Sequence, residues 1–234
     1  MISVILPVRN EAKIIKTNLE KITNHLNSLN YDYEIIIGED SSTDKTLEVA
    51  KKLTSPNVKL FSSPKRLGRG LTIKKAIAAS KGDIIVYMDI DLAADLNMLS
   101  ELILSIENGA DISTGSRLLP TSKVCGRSLI RTIFSKGYNL FLRTLFPTKI
   151  YDHQCGFKAF RKYSLLKSNL LSEVNDNHWF WDSELLIRGQ IKGLKVTEIP
   201  IKWTDRKETG VKLHSDIVNM GLAAIRLRLK KLED

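Results

Sequence analysis

Residues Val86–Asp95 read VYMDIDLAAD, and the fold turns on what such a stretch does. An apolar run stops abruptly at Asp89-Ile90-Asp91, with Asp95 close behind. Carboxylates repel one another and are costly to desolvate, so a strand ending this way needs a counter-charge. A helix cap or a solvated loop is one answer, and a bound cation is another. Residues two apart on a strand point the same way, so Asp89 and Asp91 reach one ion if the extended geometry continues. Oxygen ligands of this kind suit Mg2+ or Mn2+, which keep waters and take substrate phosphates as further ligands.

Outward from this stretch, apolar strands alternate with amphipathic helices. ISVILPV (2–8) reads as a buried strand, followed by a helix over 11–29 with Ile14, Ile15, Leu19, Ile22 and Leu26 at helical spacing. Strands are expected at 33–40, 58–63, 83–89 and 111–117, with helices at 43–53, 71–81 and 97–109; Gly82 is read as the stop of the 71–81 helix. This order predicts an α/β fold, a Rossmann-like, mostly parallel sheet flanked by helices on both faces. Ligands of such sheets bind beyond the carboxyl ends of the strands. Four of those ends carry polar chemistry: Pro7 to Glu11, Glu39-Asp40, Asp89 to Asp91, and Ser116-Arg117.

From about Leu118 the texture changes. GRSLIRTIFSKGYNLFLRTLF (126–146) is basic, aromatic and free of acids. DHQCGFKAFRK (152–162), NHWFWDSELLIRG (177–189), a strand LKVTEIPIKW (194–203), a polar loop TDRKETGVK (204–212) and a helix over 214–232 follow. No repeat or long linker divides the chain.

A chain of 234 residues fits one large domain, or one with an appended segment, and its 43% hydrophobic and 26% charged content is that of a folded protein. The net charge of +10 calls for an anionic partner: nucleic acid, nucleotide phosphates or an anionic membrane surface. No zinc-finger or RNP-type motif accompanies it, so no nucleic acid is expected. Two cysteines without a CxxC neighbour make neither a disulfide framework nor a thiolate metal site, and are read as reduced thiols in a cytoplasmic protein. The first residues lack a basic leader, and no window approaches about 18 uninterrupted apolar residues, so membrane contact is expected from the side.

The motifs ISVILPVRNEA, EDSSTDKT, LGRGLTIKKAIAASKGDIIVYMDIDLA and GADISTGSR, in that order, resemble the family 2 inverting glycosyltransferases of the GT-A nucleotide-diphospho-sugar transferase fold. The likeness is nearest to the dolichyl- or polyprenyl-phosphate sugar synthases and covers about residues 1–215. It implies a nucleotide-sugar pocket lined by Pro7, Arg9 and Glu11, with Arg9 where the family often has an aromatic residue; a guanidinium also stacks on a base. Asp40 matches the acid that bonds base or ribose, Glu39 replaces its partner acid, and Ser42, Asp44 and Thr46 are assigned turn and capping roles. Gly68 and Gly70 match a glycine-rich turn from whose small residues Arg69 departs. Asp89 and Asp91, with Ile90 between them, match the metal-binding pair: Asp91 on the metal, Asp89 on ribose or on the metal through water. Ala93 stands where the synthases often carry Gln.

Arg117 and Arg131 match arginines that face phosphate, and Arg206 and Lys212 match a basic loop in which Val211 replaces Ser. Asp182 matches an acid that serves as base in some members, which with Asp91 and Arg117 completes the implied catalytic set; Trp179 and Trp181 beside it are equally suited to packing a lid. The forms of 152–162 and HWFWDSELL resemble the glucose synthases more than the mannose ones, favouring a UDP-glucose-like donor over GDP-mannose. The implied acceptor is dolichyl or polyprenyl phosphate, and the alternative is a glycan or glycolipid hydroxyl. A donor-binding protein without catalysis is a third reading. One catalytic domain over 1–234 is implied: a nucleotide-sugar half (1–117), an acceptor half (118–215) and a basic amphipathic helix (216–234). The helices at 126–146 and 214–232 fit peripheral contact with the cytoplasmic membrane face, unless an anchoring subunit supplies it.

Overall fold

β1 (Ile2–Val8) is buried along its whole length, as a strand covered on both faces must be. β2 (Tyr33–Asp40) pairs with it in parallel, from Ile2 against Tyr33 to Val8 against Glu39. β3 (Val58–Ser63) lies beyond β2, and β4 (Ile84–Met88) lies on the other side of β1. The connections are α1 (Ile15–Asn27), α2 (Thr46–Lys52) and α3 (Arg69–Ala79). A 3-10 turn at Leu96–Met98 and α4 (Leu99–Glu107) lead into β5 (Ile112–Ser116). This computed structural model describes residues 1–205 and 213–230. Leu19, Ile22, Ala50 and Ile103 of α1, α2 and α4 pack on one face of the sheet, and Ile73, Ala76 and Ile77 of α3 on the other.

The strand order is β3-β2-β1-β4-β7-β5-β8, where β7 is Phe157–Arg161 and β8 is Val196–Pro200. β7 runs antiparallel to both its neighbours, while the other pairings of this sheet are parallel. The motif stretch 152–162 therefore contains an internal strand. Phe157 and Ala159 belong to one layer of the core and Phe160 to the other, and Lys158 is fully buried.

Two expectations on element ends are corrected. The strand expected over 194–203 is broken: Pro200 has no N–H to extend a ladder, Ile201 turns into the core, and Lys202–Thr204 (β9) pairs instead with Lys123–Cys125 (β6) in a separate sheet. The third helix ends at Ala79, with Ser80 already extended, rather than at Gly82. Gly82 serves a close approach, since a Cβ there would lie 2.6 Å from the Ser3 amide nitrogen.

The remaining helices are α5 (Leu129–Leu145), α6 (Lys162–Lys167), α7 (Leu170–Glu173), α8 (Trp181–Ile191) and α9 (Leu213–Leu229). α5, α8 and α9 share an apolar cluster that includes Tyr138, Leu142, Ile187, Met220 and Leu227. α9 carries a second stripe, Val218, Leu222, Ile225 and Leu229, exposed at helical spacing on the side away from that cluster. α5 exposes Leu129, Ile130, Ile133, Phe134 and Leu140 in the same way. Among the described residues no helix is long and apolar enough to cross a membrane.

Candidate active site

In the order β2-β1-β4 the connections leave β1 and β4 toward opposite edges of the sheet, opening a crevice beyond their carboxyl ends. There a cavity of about 540 Å3 is lined by Pro7, Arg9, Glu11, Asp40, Asp89, Ile90, Asp91, Arg117, Arg131 and Asp182. Gly68 is not on that wall; it forms the turn behind it. Arg206 and Lys212 lie outside the described residues.

The loops that follow β1 and β2 hold one another. Asn10, in the left-handed region at φ 58, accepts from the Thr43 amide (2.8 Å), and its own amide donates to Ser42 Oγ (3.1 Å). The Glu11 amide donates to Thr46 Oγ1 (2.7 Å) and the Ala12 amide to Asp44 Oδ2 (3.2 Å). These contacts place Ser42, Asp44 and Thr46 in the turn before α2, where Asp44 Oδ1 accepts from the Thr46 amide (2.9 Å), while Lys45 occupies the N-cap and no side chain caps the helix there. Asp40 accepts from the Leu67 and Gly68 amides (2.6 and 3.0 Å), clamping the turn that opens α3. Gly68 has φ 91, and a Cβ there would lie 2.6 Å from His178 Nδ1.

The two carboxylates do not sit on one extended strand, which corrects the reading by strand alternation. The chain turns after Met88: the Leu92 amide donates to the Asp89 carbonyl (3.4 Å), Leu92 has φ 56, and Asp91 Oδ1 accepts from the Ala93 amide (3.0 Å). Asp89 finds its counter-charge within the protein, in an ion pair with Arg69. The same guanidinium donates to Tyr87 Oη through Nη2 (2.7 Å) and Nε (3.1 Å), and lies 5.4 Å from the ring centres of both Tyr87 and Trp179. Burial works against this charge, but Asp89 and its neighbours outweigh it and hold the Arg69 pKa well above its ordinary value. Gly156 lies directly behind the Asp89 carboxylate, where any Cβ would collide with it. Among the described residues no group of three His, Cys, Asp or Glu side chains is placed to hold a metal. Two hard carboxylates on a cavity wall still fit an ion of the Mg2+ or Mn2+ type, whose remaining ligands come from phosphate and water.

Beyond β5 Arg117 is bound to Asp152 through its amide (2.9 Å), Nε (2.7 Å) and Nη2 (2.8 Å), and stacks 5.0 Å from the Trp203 ring centre. Burial favours the neutral form of Asp152, but Arg117 overcomes it and brings the pKa down to about 2. Arg131 pairs with Asp205 (2.8 Å), which also meets Arg127 (3.4 Å). Asp182, at the start of α8, forms an ion pair with Lys158 (Oδ1 to Nζ 2.9 Å) without a hydrogen bond on that oxygen, and accepts from Tyr87 Oη on Oδ2 (3.5 Å). Trp181 packs edge-on against Tyr87 (5.8 Å) and fills the space beside Gly70, whereas Trp179 faces the cavity. Sequence reasoning left four partners without assignment: Arg69, Tyr87, Asp152 and Lys158. Asp152 and Lys158 stood in a quoted motif, and Arg69 stood out as a departure from one.

The sequence matches the model of the Glycosyl transferase family 2 over residues 3–168. The chain is 39% identical over 230 residues to glycosyltransferase AglD of Haloferax volcanii, covering 96% of this chain and 36% of that protein, so it spans about a third of the relative's length. It is 29% identical to a dolichyl-phosphate beta-glucosyltransferase of Dictyostelium discoideum (99% and 75% covered). It is 33% identical to a dolichol-phosphate mannosyltransferase of Pyrococcus furiosus (91% and 59% covered). In backbone it resembles glucosyl-3-phosphoglycerate synthase of Mycobacterium tuberculosis, crystallised with Mn2+ and UDP-glucose, at TM-score 0.73 and 19% identity over 97% of this chain and 78% of that one; this likeness concerns the fold. Family match, strand order and the polar strand ends agree: the chain belongs to glycosyl transferase family 2, with the GT-A fold.

Proposed function

We propose that this chain transfers a hexose, with inversion, from a nucleotide-diphospho-sugar to dolichyl or polyprenyl phosphate. The observation that carries the reading is one cavity that joins Pro7, Glu11, Asp40, Asp89 and Asp91 to Arg117, Arg131 and Asp182, with Phe134 of α5 and Met220 of α9 also on its wall. The relatives named for dolichyl phosphate support the acceptor, and the glucosyl member among them supports a UDP-glucose-like donor.

On this reading Arg9 and Asp40 meet the base and ribose, and Asp40 also holds the Gly68–Gly70 turn that lies behind the cavity wall. Asp89 and Asp91 hold Mg2+ or Mn2+, which when bound stabilises charge developing on the leaving diphosphate. Arg117 and Arg131, held by Asp152 and Asp205, offer the acceptor phosphate the N–H groups those carboxylates leave over. A phosphate monoester has its second pKa near ~6, so this nucleophile is ionised at neutral pH and needs no strong base. Asp182 then orients the acceptor. The basic, apolar outer faces of α5 and α9 meet the cytoplasmic membrane face peripherally, and residues 1–234 act as one catalytic domain.

The test is to incubate the protein with UDP-glucose, UDP-GlcNAc or GDP-mannose, each with Mg2+ or Mn2+ and a polyprenyl phosphate, and to assay sugar in the organic phase. Lipid-linked sugar from one donor, lost in Asp91→Asn, is the expected result. Donor binding without lipid transfer moves the acceptor to a glycan hydroxyl, which needs a base, and makes Asp182 that base.

A further inference from the structure

We infer that Arg69 is a built-in counter-ion that keeps Asp89 from a divalent cation until a donor diphosphate arrives, so that cation and donor enter the site together. This rests on the donor reading above.

The side chain is anchored at its root. Arg69 is the first residue of α3; Gly68 before it is clamped by Asp40, and the Gly70 amide after it donates to the Asn177 carbonyl (2.8 Å). From that fixed point the guanidinium reaches the Asp89 carboxylate, with Tyr87 Oη as its second acceptor and the Tyr87 and Trp179 rings on its flanks. A Mg2+ or Mn2+ ion on Asp89 would sit about 2 Å from a carboxylate oxygen. That space now holds the Arg69 N–H groups, and two cations this close repel. Ligation of a cation through Asp89 Oδ1 therefore requires Arg69 to leave that oxygen.

Asp182, another carboxylate on the wall of the same cavity, is already paired with Lys158 at 2.9 Å. A guanidinium displaced by a bare ion would have to share Asp182 with that lysine. A diphosphate changes this, because its oxygens accept from Arg69 and ligate the ion at once. The guanidinium can move to them while keeping its aromatic flanks, and the positive charges are then separated by phosphate. Coupling of this kind is reciprocal: the nucleotide strengthens the ion's binding by the factor by which the ion strengthens the nucleotide's.

The test reads Mn2+ binding rather than turnover, by the electron paramagnetic resonance of unbound Mn2+ titrated with the full chain, with and without UDP or GDP. For the unaltered protein, nucleotide is expected to tighten Mn2+ binding at least about tenfold. Arg69→Gln is expected to tighten nucleotide-free Mn2+ binding by about tenfold and to shrink the nucleotide effect correspondingly. Arg69→Lys, which keeps a cation facing Asp89, is expected to stay near the unaltered protein, and it provides the second variant should Arg69→Gln not fold. Arg69→Gln binding bare Mn2+ no more tightly than the unaltered protein, with nucleotide binding intact, overturns the role of Arg69 and leaves the donor reading standing. Unaltered protein that binds Mn2+ equally well with and without nucleotide overturns it too. Absence of both Mn2+ and nucleotide binding rejects the donor reading and this inference with it.

Discussion

Lys158 reaches Asp182 from beneath the cavity floor, and both side chains are withdrawn from water. Removing one partner of a buried pair strands the other charge and costs about 3–5 kcal/mol, while replacing both by apolar groups of similar volume is often neutral. Lys158→Met is expected to lower the free energy of unfolding in urea by about that amount. The double variant Lys158→Met/Asp182→Leu should regain most of it without regaining transfer, because the carboxylate proposed to orient the acceptor is gone. A double variant as unstable as the single one would show that Lys158 supports the β7 region by some other contact. The same pair shows what a sequence conceals: a lysine between Gly-Phe and Ala-Phe looks like a solvated position until α8 supplies its acid.

At the scale of elements, β1, β2 and β3 were legible to the residue, because continuous apolar runs bounded by proline, charge or serine leave no other reading. β7 was not, since a charged residue at its centre breaks the apolar pattern and the compensating carboxylate lies far along the chain. The donor-side candidates were legible because they stand at strand ends, which topology gathers. The pairing of Asp89 with Arg69 was not, because it depends on how α3 approaches β4. The helices α5 and α9 were read as amphipathic, and their structure adds a second apolar face. α5 carries Arg131, Lys136 and Arg143 with no acid between Leu129 and Leu145, and Arg226 and Arg228 stand near the end of α9. Basic residues beside exposed apolar ones match an anionic lipid surface. The protein is expected to sediment with vesicles containing phosphatidylglycerol and far less with phosphatidylcholine alone, and added salt should weaken it. Leu222→Glu/Ile225→Glu should weaken partitioning by about tenfold or more, given roughly 0.8 kcal/mol per buried methylene. Equal partitioning of the variant would place the membrane contact elsewhere.

The molecule as a whole carries a pH response set by His153. It is fully buried, with Nδ1 2.7 Å from Asn139 Oδ1 and Nε2 3.0 Å from Thr148 Oγ1. Burial lowers its pKa from 6.5 to about 3, helped by Lys158 and Arg143 and opposed by Asp152. The folded state thus holds this imidazole neutral where the unfolded chain would protonate it. Its contribution is complete above pH 6.5 and is lost as pH falls from there toward 3, by up to about 1.4 kcal/mol per pH unit. Asp152, lowered by Arg117, contributes in the other window: fully above about 3.8, and lost as pH falls through about 2. Urea midpoints between pH 6.5 and 4 should therefore fall in the native chain and flatten in His153→Gln; an unchanged slope would assign the acid response to other groups. The antiparallel strand at the centre of the sheet has a consequence for biosynthesis. A ribosome releases β4 and β5 well before β7, yet β7 is the strand that joins them. Until it emerges, β4 presents an open edge and β5 has no neighbour in the sheet, although β1, β2, β3 and β4 can already pair with one another. The first half of the sheet is made early, and its join to β5 and β8 waits for β7.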